Sequence, residues 1–325
     1  PRRICIISVY CVKRRGNGKR HSKLPSSSSR SVALVEPRRS VTAMVDWTDI
    51  ALWLAIGCFT IYFFLFFRKK NKKAMEIRKH GWEPDTVYLY QFPRARTTPQ
   101  ASPQCLKVET FLKVNNIPYE VCPIPPARSQ YGLLPFIGLN GEHIADSQII
   151  INRLKSHFNV KPLSSPRDEA IARTIERTAE NHTLSLMRQV KVIEDTNNLF
   201  LKMFIQELGC PDAFLPALTP FVARIMKQKV RKVIATSIGE LSVEEFKELL
   251  RNDLDTYQDL LGENQYFFGD DMSSADCTVF SLLASILYGP SDTYAKEVLQ
   301  EQYPRLVSYC DHIRDTFYGK DFSEE

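Results

Sequence analysis

The chain has 325 residues, 44% hydrophobic and 25% charged, which leaves room for one large globular domain or two modest ones, each able to bury a core. Its net charge of +6 is uneven: residues 81–325 hold 25 Lys and Arg against 33 Asp and Glu, and the basic excess lies before them. Duplex-binding domains gather positive charge on one face, so this balance argues against nucleic-acid binding by the folded part. The five cysteines of that part form no C-x-x-C or C-x-C pair, which suggests neither a disulfide framework nor a zinc site.

Residues 1–43 are basic, Ser-rich and without periodicity. They are expected to be disordered, and with Met44 standing just before the next segment they read as translated upstream sequence. Residues 50–67, IALWLAIGCFTIYFFLFF, carry no charge. As a helix these residues rise about 27 Å, close to the thickness of a bilayer core. Trp47 and Trp53 sit near one end, and Arg68, Lys69, Lys70, Lys72 and Lys73 follow the other. The expectation is a single transmembrane anchor over 47–67, a basic linker over 68–84, and a C-terminal bulk held in the cytoplasm by the cationic stop.

Residues 87–92 are apolar and aromatic and predict a strand. A polar loop follows over 93–100. Ser102 then suits a helix N-cap and Pro103 the first helical position, with Val108, Phe111 and Leu112 as the apolar stripe. A second strand is expected over 118–124. The stretch 133–145 holds two more strands around Asn140-Gly141, a hairpin signal. Asp146-Ser147 opens a helix over 148–158. The order is β-α-β, a connection, then β-β-α.

From Ser165 onward the pattern is helical. Ser165, Pro166 and Asp168 mark a helix start, and Ile171, Ile175, Thr178 and His182 follow at helical spacing. Pro211, Pro216 and Pro220 are expected to separate helices. Residues 242–261 form an amphipathic helix ended by Gly262. In YFFGDDMSSADCTVF, residues 266–280, Ser273 can cap a helix while Asp276 returns a bond to its backbone. The apolar residues that follow make this the expected central core helix. The fold class is α/β plus all-α, with domains over 85–160 and 165–320.

Over residues 85–320 the chain resembles the glutathione transferases, a thioredoxin-like domain followed by a helical one. VYLYQFPRA, SPQCLKVETFL, YGLLPFIGLNGEHIADS, FFGDDMSSADCTVF and YPRLVSYCDHIR identify it as a member of the failed axon connections family, related to the metaxins and to cadmium-responsive transferase-like proteins. The resemblance implies a cis Leu134-Pro135 bond before the third strand. It implies that Asp146 and Ser147 hold the γ-glutamyl group of glutathione, as ligand or co-substrate. It also places Ser102-Pro103-Gln104-Cys105 where omega-type transferases and glutaredoxins carry C-P-x-x or C-P-x-C, with Ser in place of the first Cys. The Ser273–Asp276 capping box is a family feature as well. No metal is expected, because the histidines are scattered without ligand spacing.

Each candidate has a structural reading beside the chemical one. Ser102, at the positive end of a helix, could hold a thiolate, or it could simply cap the helix. Cys105 is either the remnant of a dithiol pair or a buried small residue, and without a thiol at 102 it cannot run intramolecular exchange. Asp146 and Ser147 could bind an amino-acid head group or cap the next helix. Tyr88 and Tyr90 lie on the first strand, where the resemblance implies that other transferase classes use a nearby Tyr; they share one strand face, and a core role is expected for at least one. Two functions stay open: a membrane-tethered glutathione transferase, and a binding or regulatory protein with protein partners, in axon development by resemblance. The anchor and the long 93–100 loop favour the second.

Overall fold

Val87–Gln91 (β1) is buried along its whole length, which fits a strand covered on both faces. In the computed structural model, which describes residues 79, 81–124, 134–208 and 210–323, β1 pairs in parallel with Tyr119–Pro123 (β2) and antiparallel with Phe136–Leu139 (β3). Glu142–Ala145 (β4) closes the order β2-β1-β3-β4. Val87 and Leu89 face Val108, Phe111 and Leu112 of Pro103–Val114 (α1), and Ile150, Ile151 and Leu154 of Ser147–His157 (α2). Tyr88 and Tyr90 point to the other face, where the Tyr90 and Phe136 rings stack with centroids 4.6 Å apart. Asn140 and Gly141 take φ of 48° and 79°, the positive pair that a two-residue hairpin turn demands.

The second half is helical. Pro166–Arg177 (α3) runs through a π turn at Thr178–Thr183 into Leu184–Arg188 (α4), and a second π turn follows at Gln189–Glu194. The 3.6-residue spacing through His182 does not foresee this widening. It lets two consecutive residues, His182 and Thr183, reach one carboxylate, Asp253, at 2.9 and 2.6 Å. Then come Leu199–Glu207 (α5), Leu215–Ser237 (α6), Val243–Leu261 (α7), Ser274–Leu287 (α8), Tyr294–Gln302 (α9) and Pro304–Phe317 (α10). Pro216 and Pro220 do not separate helices. Pro216 lies in the first turn of α6, where N–H groups have no helical partner, and Pro220 follows it inside the helix.

Every residue of α8 is buried, so it is the hub of the helical core. The Ser273–Asp276 capping box starts it. The Asp276 carboxylate accepts from Ser273 N at 2.8 Å, Phe267 N at 2.9 Å and Tyr309 Oη at 3.1 Å, which stitches the 266–272 loop and α10 to the helix start. A second box, Ser242 with Glu245, starts α7, and Gly262 ends it at φ 52°. Residues 105–112 of α1 are all buried, wedged between the sheet and the helical core.

The expected disordered segment at 1–43 and the expected anchor at 47–67 lie outside the described residues, as does most of the 68–84 linker. Among the described residues, no helix is long and apolar enough to cross a membrane.

Candidate functional site

The sheet register brings two of the predicted site residues, Pro135 and Asp146, to one end of the sheet. Tyr90 and Ala145 both pair with Phe136. The residues just beyond, Gln91, Pro135 and Asp146, therefore meet at the same end of three adjacent strands. The Leu134-Pro135 bond is cis. Leu134 lies outside the ladder that starts at Phe136, so its backbone is not committed to strand pairing.

Asp146 is the N-cap of α2, in a left-handed conformation at φ 78°. Its Oδ1 accepts from Gln148 N at 3.0 Å and Ile149 N at 3.2 Å, while Oδ2 makes no hydrogen bond among the described residues and the side chain is exposed. Ser147 is the first residue of the helix and is buried. Asp146 thus caps the helix with one oxygen and leaves the other without a partner among the described residues.

Ser102 occupies the N-cap position of α1, but its hydroxyl makes no capping bond. It lies 3.4 Å from Gln104 Oε1, and the helix start is tied instead by the Ser102 carbonyl, which accepts from Leu106 N at 3.0 Å. The hydroxyl thus meets side chains of the first helical turn, Gln104 and Cys105, and none of its backbone N–H groups. Cys105 is fully buried one turn on, and burial pushes its thiol up to about 12. It is a packed small residue rather than a nucleophile.

The 93–100 loop is polar in sequence but folds inward. Ala95, Thr98 and Gln100 are buried. Gln100 Nε2 donates to the Phe92 carbonyl at 2.8 Å, and Arg94 Nη2 to Glu109 Oε1 at 3.1 Å. Glu109 is wholly buried and also accepts from Gln91 Nε2 at 2.7 Å. Burial raises its pKa, and Gln91 and Arg94 oppose the shift. Arg94 also reaches the Asp321 carbonyl at 3.1 Å, and the Phe92 ring meets Phe204 of α5 edge-on at 5.3 Å. The loop and the residue before it are thereby tied to α1, to the 319–321 turn and to α5. Gln91 Oε1 and Gln100 Oε1 are buried without a hydrogen-bond partner.

Sequence reasoning missed the polar group behind Asp146. Lys107, 1% exposed, donates to Gln148 Oε1 at 2.9 Å and Glu180 Oε1 at 2.7 Å. Arg177 Nη2 donates to the same Gln148 oxygen at 3.0 Å. The available signal was Lys107 and Glu109 alternating with apolar residues on α1, which look solvent-facing until a second domain covers them. Among the described residues, no group of three or more His, Cys, Asp or Glu is arranged to hold a metal ion.

The family comparisons match this architecture. The glutathione S-transferase N-terminal domain model matches residues 103–197, and the glutathione S-transferase C-terminal domain model matches residues 250–313. The chain is 32% identical to failed axon connections of Drosophila melanogaster over 75% of its own length and 60% of that protein. It therefore spans less than two thirds of that relative. It is 26% identical to isoprene-epoxide–glutathione S-transferase of Rhodococcus sp. (strain AD45), over 71% of this chain and 99% of that one. With metaxin-3 of Xenopus laevis it shares 22% identity over 69% of this chain and 74% of the relative. On these matches and this fold, the chain belongs to the metaxin-related, glutathione-transferase-like family of failed axon connections.

Proposed function

We propose that this chain is a glutathione-transferase-like binding or regulatory protein that takes up glutathione, or a related γ-glutamyl peptide, with weak or no turnover. The inward-folded 93–100 loop carries the reading. Its Ala95, Thr98 and Gln100 are buried, Arg94 is tied to Glu109 and Asp321, and Phe92 just before it packs on Phe204 of α5, which supports a cleft with little room for an electrophilic second substrate. The binding residues still fit the ligand: Asp146 Oδ2 faces solvent at the end of β4, and the Leu134 backbone stands off the ladder beside it. When bound, glutathione would supply the thiol that this site lacks in reactive form. Residues 47–67 would tether the protein to a membrane with the folded part on the cytoplasmic side, and the likeness to failed axon connections points to a role in axon development with protein partners.

A specific observation favours a second reading, an active transferase. The Ser102 hydroxyl is not spent on capping and stands at a helix N-terminus, where it could hold a glutathione thiolate. The relative named for isoprene epoxide and glutathione gives the electrophile class to try first. Retention of the full chain on immobilised glutathione, with elution by the free tripeptide, tests binding, and a conjugation assay with a small epoxide separates the two readings. Binding without conjugation is expected. Conjugation at ordinary enzyme rates would replace the first reading with the second, and no retention would remove both.

A further inference from the structure

α6 is out of character with the domain that carries it. It holds Arg224, Lys227, Lys229, Arg231 and Lys232 and no Asp or Glu. The rest of residues 81–325 holds 20 Lys and Arg against 33 Asp and Glu. Its buried side is Leu215, Thr219, Ala223 and Ile234. At about 100° per residue, Phe221, Ile225 and Lys232 fall on one line opposite Ala223. Arg224 and Arg231 flank that line on one side and Lys229 on the other. Phe221 is 64% exposed and Ile225 39%. Lys227 turns inward to the Asp195 carbonyl at 2.9 Å, whereas Arg224, Lys229, Arg231 and Lys232 form no ion pair among the described residues.

We propose that this outward face of α6 docks on an anionic lipid bilayer. Phe221 and Ile225 enter the interfacial layer, and Arg224, Lys229, Arg231 and Lys232 reach the headgroup anions. A line of Phe221 and Ile225 that ends in Lys232, with cations on both flanks, is an arrangement in which long basic side chains extend to headgroups while the ring is buried. A second copy paired through its own α6 does not fit, because that would set cations against cations. A plane of negative charge engages the centre line and both flanks at once. The acidic remainder of the domain is repelled by that plane, which leaves α6 to set the orientation. The docking does not depend on residues 47–67.

The test places a reporter at the centre line. The full chain carrying Phe221→Trp is mixed with vesicles of brominated phosphatidylcholine, with and without phosphatidylserine. Whatever residues 47–67 do on either surface, quenching beyond that of the parent chain reads position 221 alone. Such quenching is expected only with phosphatidylserine present, and it should fall as salt is raised. Changing Arg224, Arg231 and Lys232 to Glu should lower the docked-to-free ratio by at least about fivefold per residue. All three side chains are exposed, so the melting temperature should stay put. Quenching absent with phosphatidylserine, equal on neutral vesicles, or unchanged by charge reversal overturns the proposal. If soluble poly-glutamate binds through these residues while vesicles leave position 221 unquenched, an acidic protein is the partner and the lipid docking is wrong.

Discussion

Lys107 Nζ lies 2.7 Å from Glu180 Oε1, which joins the first helix of the sheet domain to the π turn of the helical domain with the lysine side chain 2% exposed. The same ammonium holds Gln148, two residues past Asp146. The two domains are therefore locked together behind the candidate ligand residue. Ions removed from water gain little net stability from pairing, but a partner left alone is costly. Lys107→Met should cost about 3 kcal/mol, near the low end for a broken buried pair because Arg177 still meets Glu180. Adding Glu180→Gln should cost less than the sum of the two single changes. Strict additivity in urea unfolding would mean that the pair is not coupled.

Asp276→Ala should destabilise the helical core by about 1–3 kcal/mol, because the buried Phe267 N–H and the Ser273 N–H lose their acceptor and Tyr309 keeps only the Asp276 carbonyl. Thermal unfolding checks this. A melting temperature equal to the parent's would mean that water replaces the carboxylate, and that α8 does not depend on its cap.

Much of this architecture was legible from local signals. Ser102-Pro103, Asn140-Gly141, Asp146-Ser147 and Ser273–Asp276 each fix a turn or a helix start through chemistry within three or four residues. Side-chain fates set by distant parts of the chain were not legible. The 93–100 loop reads as polar, yet Gln100 and Glu109 are buried because Phe92, Gln91 and Arg94 supply partners that spacing does not reveal. Pro220 reads as a break because its cost is local, while the burial of Ala223 and Ile234 that keeps α6 whole is tertiary. The first π turn likewise meets its partner, Asp253, about seventy residues further along.

Asp146 serves two purposes that substitution can separate. Asn caps helices as well as Asp does, and Ala does not. Asp146→Ala should cost about 1 kcal/mol of stability and also weaken glutathione retention. Asp146→Asn should keep the stability and still weaken retention, because the charge that meets the ligand's ammonium is gone. If Asp146→Asn binds glutathione like the parent, the carboxylate is a cap and nothing more.

Asp85 offers a pH signature. Its Oδ1 accepts from Asn140 Nδ2 at 3.0 Å and lies 2.8 Å from His157 Nε2, and these bonds hold its pKa below the usual 3.8. A carboxyl whose folded pKa is depressed contributes stability above the unfolded value and loses it as pH falls through the folded one. The parent should therefore lose stability relative to Asp85→Asn as pH drops below 3.8, with no relative change at neutral pH. Urea midpoints of the two proteins across that range decide it. A difference that stays constant into the acid range would show that the Asn140 and His157 contacts do not persist in solution.

Ser102→Cys addresses the chemistry directly. The N-cap hydroxyl makes no capping bond, and a thiol in its place at the positive end of α1 should ionise more readily than a free cysteine. Cys105 cannot contribute the attacking sulfur, because burial holds its thiol near 12. The variant should therefore act as a monothiol. The introduced thiolate attacks the glutathione sulfur of a mixed disulfide and releases the other thiol. A second glutathione thiolate then attacks the disulfide so formed between the protein and glutathione, yielding oxidised glutathione and restoring the introduced thiol. Removing Cys105 as well, by Cys105→Ala, should leave the rate within about twofold, since a thiol protonated at neutral pH adds little to exchange. If the new cysteine is alkylated quickly yet reduces no glutathione mixed disulfide, its thiolate forms but glutathione is not seated between Pro135 and Asp146. If that result is joined by failure of the parent chain to bind immobilised glutathione, the cleft has lost the ligand and protein contacts alone would remain as its role.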